Sequence, residues 1–304
     1  MTRVTFSPPR DAISLETNDA RVFALADRLW DRTSDAPRTP PIAIRIAVHP
    51  GPAPEPLAER NVIWSHAHET YDVTLRNLMK IRIRLLESTV DCVVTEGLVA
   101  EAPALAARSL LEAPAAVLLS RRGFTVLHAA AVVGRRGAVV IRGASGAGKS
   151  TLTAAAWQAG FGVLADESLL VARDDHDDLA ASVRDLTVLP NAARLLSLDH
   201  AEVAFSGGEE KRRVDLYRGS SPACRRARRV ATFLLGERVP GPARLSPLSG
   251  TQFLDAFRQG NIPEERIGGD PDRVAESWAQ EGSFRIDGTI DLPGAIDILR
   301  LILD

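Results

Sequence analysis

The chain has 304 residues, 45% hydrophobic and 25% charged, the balance of an ordinary globular protein with room for two domains. Its net charge of −2 creates no field toward nucleic acid or an anionic membrane, and no run approaches the ~18 uninterrupted apolar residues of a spanning helix. Two cysteines, Cys92 and Cys224, are too few and too distant for a disulfide scaffold or a zinc module. The opening MTRVTFSPPRDAISLE lacks the apolar core of a secretory signal. The expectation is a cytoplasmic protein with no membrane and no nucleic-acid partner.

Residues 1–120 read as a smaller α+β domain. DARVFALADRLW (Asp19–Trp30) has helical periodicity, and proline-rich breaks over 34–41 and 49–56 read as surface connections. IAIRIAV (Ile42–Val48), TYDVTL (Thr70–Leu75), KIRIRLL (Lys80–Leu86) and TVDCVVTEG (Thr89–Gly97) read as short strands. APALAARSLLEAPAAVLLSRR (Ala102–Arg122) reads as a helical run. HAHE (His66–Glu69) could set two imidazoles on one strand face, but no third or fourth metal ligand lies nearby, so a polar edge or loop is the better reading. This domain carries no catalytic signature, and its place ahead of the next one suggests substrate recognition.

Residues 121–304 are organised differently. GFTVLHAAAVV (Gly123–Val133) is an apolar β run, Gly134–Gly137 suits a hairpin turn, and AVVIRG (Ala138–Gly143) is a second run. Then comes Gly143-Ala144-Ser145-Gly146-Ala147-Gly148-Lys149-Ser150, a full match to G-x-x-x-x-G-K-[ST]. Glycines let the backbone wrap a phosphate, and the following helix offers its unsatisfied N-terminal donors. Lys149 supplies a point charge to the β/γ-phosphates, and the Ser150 hydroxyl is a Mg²⁺ ligand, with Thr151 next in the binding segment. The expected helix runs from Lys149 to Ala159, about 16 Å, and stops at Gly160. FGVLA (Phe161–Ala165) then returns parallel to the feeding strand, which brings Asp166 and Glu167 to the edge where open α/β sheets bind ligands. One carboxylate there can hold a metal and the other can accept a proton.

Downstream, RDDHDD (Arg173–Asp178) reads as a solvated turn. EEKRRVDLY and CRRARR form a basic stretch that is either a solvated face or a holder for an acidic acceptor. RVATFLLGE reads as a buried strand, and SGTQFLDAFRQG and LPGAIDILRLIL as terminal helices.

LHAAAVV, GASGAGKST and GFGVLADESLLV together resemble the C-terminal domain of HPr kinase/phosphorylase and its relatives, over roughly residues 123–171. The resemblance implies an α/β P-loop kinase core of the HPr kinase/phosphoenolpyruvate carboxykinase type, a mixed sheet with flanking helices, using ATP and Mg²⁺. It makes Lys149 the phosphate-binding lysine, Ser150 a magnesium ligand and Asp166 the general base toward a hydroxyl; of the acidic pair this leaves Glu167 for the metal. His128 matches a family histidine near the reacting phosphate, and Arg194 in VLPNAARLL matches a segment that contacts a phosphate or acceptor carboxylate. The bifunctional enzymes carry two aspartates where this chain has Asp166-Glu167, and their phosphorylase segment is not evident, so HPr as acceptor and the reverse reaction are not carried over. Related kinases phosphorylate ribosomal peptides, among them lasso-peptide tailoring kinases, and family members often form homo-oligomers. The expected function is transfer of the γ-phosphate to a serine of a small protein or peptide. The alternative is a P-loop ATPase, or a non-catalytic nucleotide-binding module acting through a partner protein.

Overall fold

The computed structural model describes residues 1–7, 11–34, 39–54, 62–181, 185–198, 201–206, 209–216, 225–236, 239–260, 263–267 and 269–304. The chain is mixed α/β and divides into two compact units. One comprises Met1–Arg121 with Val203–Lys211, the other Arg122–Glu202 with Arg212–Asp304. Cys224 and Tyr217, along with much of the proline-rich breaks, lie outside the described residues.

The first unit is built on an eight-stranded mixed sheet in the order β3-β1-β2-β4-β8-β7-β6-β5. Its strands are β1 (Thr2–Ser7), β2 (Ile13–Thr17), β3 (Asp31–Arg32), β4 (Ile42–His49), β5 (Val62–Ala67), β6 (Thr70–Leu75), β7 (Met79–Arg84) and β8 (Thr89–Thr95). The period-2 pattern explains the centre: Ile42, Ile44 and Ile46 of β4 are fully buried while Arg45 points to solvent and pairs with Asp91. Strands β2, β4 and β8 run parallel, and β5 to β8 form an antiparallel meander. Helix α1 (Ala20–Leu29) supplies the crossover between β2 and β4, with the Asp19 side chain capping its N-terminus. The run expected as one helix after β8 is broken into α2 (Glu96–Glu101), α3 (Pro103–Ala107), a π-turn (Arg108–Glu112) and α4 (Ala113–Arg121). Pro103 lacks an amide donor and opens α3 as its first residue, which splits it from α2. In HAHE, His66 lies one residue before the end of edge strand β5 and stacks on Tyr71, while His68 sits in the hairpin turn at positive φ.

The second unit is a three-layer structure. Its sheet runs β12-β10-β11-β18-β14-β13-β9, with β20 joined to β18 and β19 to β20. The strands are β9 (Phe124–His128), β10 (Ala130–Gly134), β11 (Gly137–Arg142), β12 (Gly162–Ala165), β13 (Ser168–Ala172), β14 (Asp178–Ala181), β18 (Arg226–Leu235), β19 (Arg244–Pro247) and β20 (Ser283–Asp287). Between β14 and β18 in the chain come β15 (Asp185–Val188), β16 (Glu202–Ser206) and β17 (Glu209–Asp215); β15 pairs antiparallel with the Arg212–Asp215 end of β17, whereas Val203–Lys211 belongs to the first unit. Alternation along β10 and β11 feeds two cores. Ala131, Ala138 and Val140 pack under Phe253, Phe257, Val274 and Trp278 of α7 (Gly250–Gln259) and α8 (Pro271–Trp278). On the other face Val132, Val139 and Ile141 pack under Leu152 and Ala156 of α5 (Lys149–Gln158) and Ile296, Leu299 and Leu303 of α9 (Leu292–Leu303).

The expected hairpin into the loop is present as β10–β11, closed at Gly134↔Gly137. Direct contact at Gly137 explains the glycine: a Cβ there would stand 2.4 Å from the Arg228 carbonyl oxygen. Two expectations need correction. GFTVLHAAAVV is two strands, because the chain kinks at Ala129, whose amide bonds back to the Leu127 carbonyl. Strand β12 has the direction expected of it but does not touch β11; β10 lies between them and is antiparallel to both.

Candidate functional site

Strand β11 delivers the glycine loop, and the loop runs straight into α5. Gly146 and Gly148 hold φ of 80° and 106°, a region that costs an L-residue steric energy, and Gly148 is the N-cap of α5 in left-handed conformation. Around Gly146 a Cβ would meet nothing within 4 Å, so the loop opens onto free space at that point. Ser150 and Thr151, partly exposed, begin the helix immediately after Lys149. The α5 stop is the expected one, with Gly160 at φ 96° and the Phe161 amide bonding back to the Ala156 carbonyl.

Lys149 is only 6% exposed and folds back into the loop. Its Nζ donates to the carbonyls of Gly143 at 2.8 Å and Ala144 at 3.3 Å. Burial pulls its pKa below the ordinary lysine value, while Asp166, Glu167 and Glu265 act in the opposite direction. An ammonium held by two carbonyls in this way is positioned to exchange them for anionic oxygens brought to the loop.

The acidic pair occupies a break between β12 and β13, not the exit of a strand into a loop. Antiparallel register carries across that break: Ala131 stands opposite Ala165, and His128 opposite Ser168. Asp166 and Glu167 therefore fall across from the Ala129 kink, with Glu167 one position from the residue that faces His128. Asp166 is 3% exposed, and its Oδ2 accepts the Thr187 amide of β15 at 3.0 Å. Glu167 is partly exposed. The partly buried His128 imidazole is held below its ordinary pKa by desolvation and then by the positive charge of Lys149, with Glu167 and Glu265 pulling it back up. The structure thus gathers Lys149, Asp166, Glu167 and His128 into one electrostatic neighbourhood around the loop.

Arg194 makes none of these contacts among the described residues. It is an exposed residue near the end of α6 (Pro190–Leu195), and no hydrogen bond or ion pair among the described residues joins it to the carboxylates. Helix α6 packs beside α5 through Ala192 and Ala193, against Ala154, Val163 and Leu186.

Two further residues belong to the neighbourhood and escaped sequence reading. Arg142, the last residue of β11, is fully buried and forks onto Glu265 with contacts of 2.7 and 2.8 Å. An arginine closing an otherwise apolar β run was the available signal, but its partner lies 123 residues away. The charged runs once read separately also meet: Asp175, Asp177 and Asp178 pair with Arg228, Arg229 and Arg226 at 2.6 to 2.7 Å. These three arginines of the basic stretch are therefore committed to neighbours within their own unit.

Among the described residues no three His, Cys, Asp or Glu side chains converge as a metal cage. No helix among the described residues is long and apolar enough to cross a membrane. Comparison with protein-family models and with curated proteins finds no match for the chain.

Proposed function

We propose that the second unit is a P-loop kinase of the HPr kinase/phosphoenolpyruvate carboxykinase type, transferring the γ-phosphate of ATP to a serine hydroxyl of a small protein or peptide. The observation that carries the reading is the pairing of a glycine loop, opened by two positive-φ glycines and a buried lysine, with a buried carboxylate reached through one short helix. Loop amides and Lys149 would bind and orient the phosphates, and Ser150 and Glu167 would hold Mg²⁺, which would supply charge neutralisation for the transferred phosphate. Asp166 accepts the acceptor's proton. Its contact with the Thr187 amide orients the carboxylate, and its burial keeps bulk water from competing with the acceptor. His128, kept neutral by desolvation and Lys149, adds a polar group beside the reacting oxygens without adding charge.

The test uses γ-labelled ATP, Mg²⁺ and an extract of the source cells, with products resolved down to peptide size. A labelled small species formed by the wild type and lost with Asp166→Asn, which should still bind ATP, supports the kinase. Free phosphate with no labelled acceptor transfers the reading to an ATPase that works through a partner, and saturable ATP binding with neither product leaves a nucleotide-binding module.

A further inference from the structure

The Arg142–Glu265 pair has no assigned part in the chemistry above. Its two side chains are 0% and 1% exposed, and the fork is bidentate, Nη1 to Oε1 at 2.7 Å and Nη2 to Oε2 at 2.8 Å. Nε donates to the Phe257 carbonyl at 3.3 Å, in the last turn of α7, where the helix dipole favours a cation. The guanidinium carbon also lies 4.0 Å from the Phe257 ring centroid.

The pair grips both peptide groups of one candidate site residue. Arg142 Nη1 donates to the His128 carbonyl at 3.4 Å, and Glu265 Oε1 accepts the His128 amide. Arg142 is followed directly by Gly143, whose carbonyl takes the Lys149 ammonium. A buried ion pair is weak as a source of stability, because desolvation offsets most of the attraction, and hydrophobic replacements of like volume are often neutral. What it supplies is direction: two charges locked by four or more hydrogen bonds set one backbone against another.

We propose that Arg142 and Glu265 form a positioning pair that holds the start of the glycine loop and the strand end bearing His128 in a fixed relation, and so keeps the loop shaped for phosphate. The binding arm of its test rests on the nucleotide reading; the spectroscopic arm does not.

The variants are Glu265→Gln, which keeps shape and removes one charge, and the double change Arg142→Met with Glu265→Leu, which removes both charges and keeps most of the volume. Urea unfolding, amide spectra of ¹⁵N-labelled protein and ATP–Mg²⁺ affinity are measured on each. The double variant should still unfold cooperatively, at a lower urea midpoint because the buried His128 amide loses its acceptor, while the amides of residues 143–149 shift or broaden. Its ATP–Mg²⁺ affinity should fall about 10-fold or more, as small misplacements in a preorganised site do. Loop amides and affinity unchanged in a folded double variant would overturn the proposal and leave a pair that only fills the core. Should the double variant not fold, Glu265→Gln carries the same readings. Should the wild type bind no ATP, the nucleotide reading fails, and unmoved loop amides in the variants alone still decide against the pair.

Discussion

Lys149 and His128 both lose basicity, and for the same first reason: burial disfavours their charged forms. For Lys149 the two loop carbonyls and the surrounding carboxylates still give the ammonium partners, so its removal should act on anion binding more than on folding. Lys149→Met is expected to weaken ATP–Mg²⁺ binding about 10- to 100-fold, the size of one lost charge-assisted bond, measurable by calorimetry. For His128 the consequence is a stability that depends on pH. Its folded pKa lies below that of the unfolded chain, so as pH falls the unfolded chain protonates first, from about 6.5. Stability therefore drops with acidification through that window, by no more than about 1.4 kcal/mol per pH unit, until the folded imidazole also protonates. His128→Asn should flatten the fall in urea midpoint between neutral and mildly acidic pH. A remainder should persist, because His176 is shifted downward by burial as well.

At the level of elements, the loop works because β11 and α5 meet through residues that tolerate left-handed backbone. Gly148→Ala places a Cβ at φ 106°, with an expected cost of about 1–2 kcal/mol in thermal or urea unfolding and a weakened ATP affinity as the loop relaxes. An alanine variant as stable and as tight-binding as the wild type would mean that the loop takes another conformation. The break between β12 and β13 is the second element of the site. Residues 166 and 167 were legible in the sequence as an acidic pair beside the loop. That they sit mid-ladder across from the Ala129 kink was not, because LHAAAVV carries no glycine or proline to mark the division.

Across the second unit, two cores clamp the sheet from either face, and Trp278 anchors one of them. Its ring is fully buried against Phe257, its Nε1 donates to the His176 carbonyl, and Arg229 lies over its face. Trp278→Ala is expected to cost about 3–5 kcal/mol in urea unfolding, the range for emptying a large aromatic site. Helix α8 itself, together with β1, β2 and β20, was missed by periodicity, although ISLET alternates with Ile13 and Leu15 buried. Short elements offer too few turns or alternations to rise above their neighbours.

The sequence by itself determined the glycine loop, the hairpin that feeds it, helix α5 with its Gly160 stop, and the arrival of Asp166-Glu167 soon after. All of these follow one another between Ala130 and Glu167, where backbone conformation, helix length and hairpin closure follow from local chemistry. Only the tertiary structure decided that Arg142 meets Glu265, that the Thr187 amide orients Asp166, and that the acidic turn neutralises the arginines of β18. Those partners are 123, 21 and 53 residues apart, and nothing in the local chain pairs them. Which strands become neighbours, and in what register, is settled by how two faces of one sheet bury their apolar side chains together.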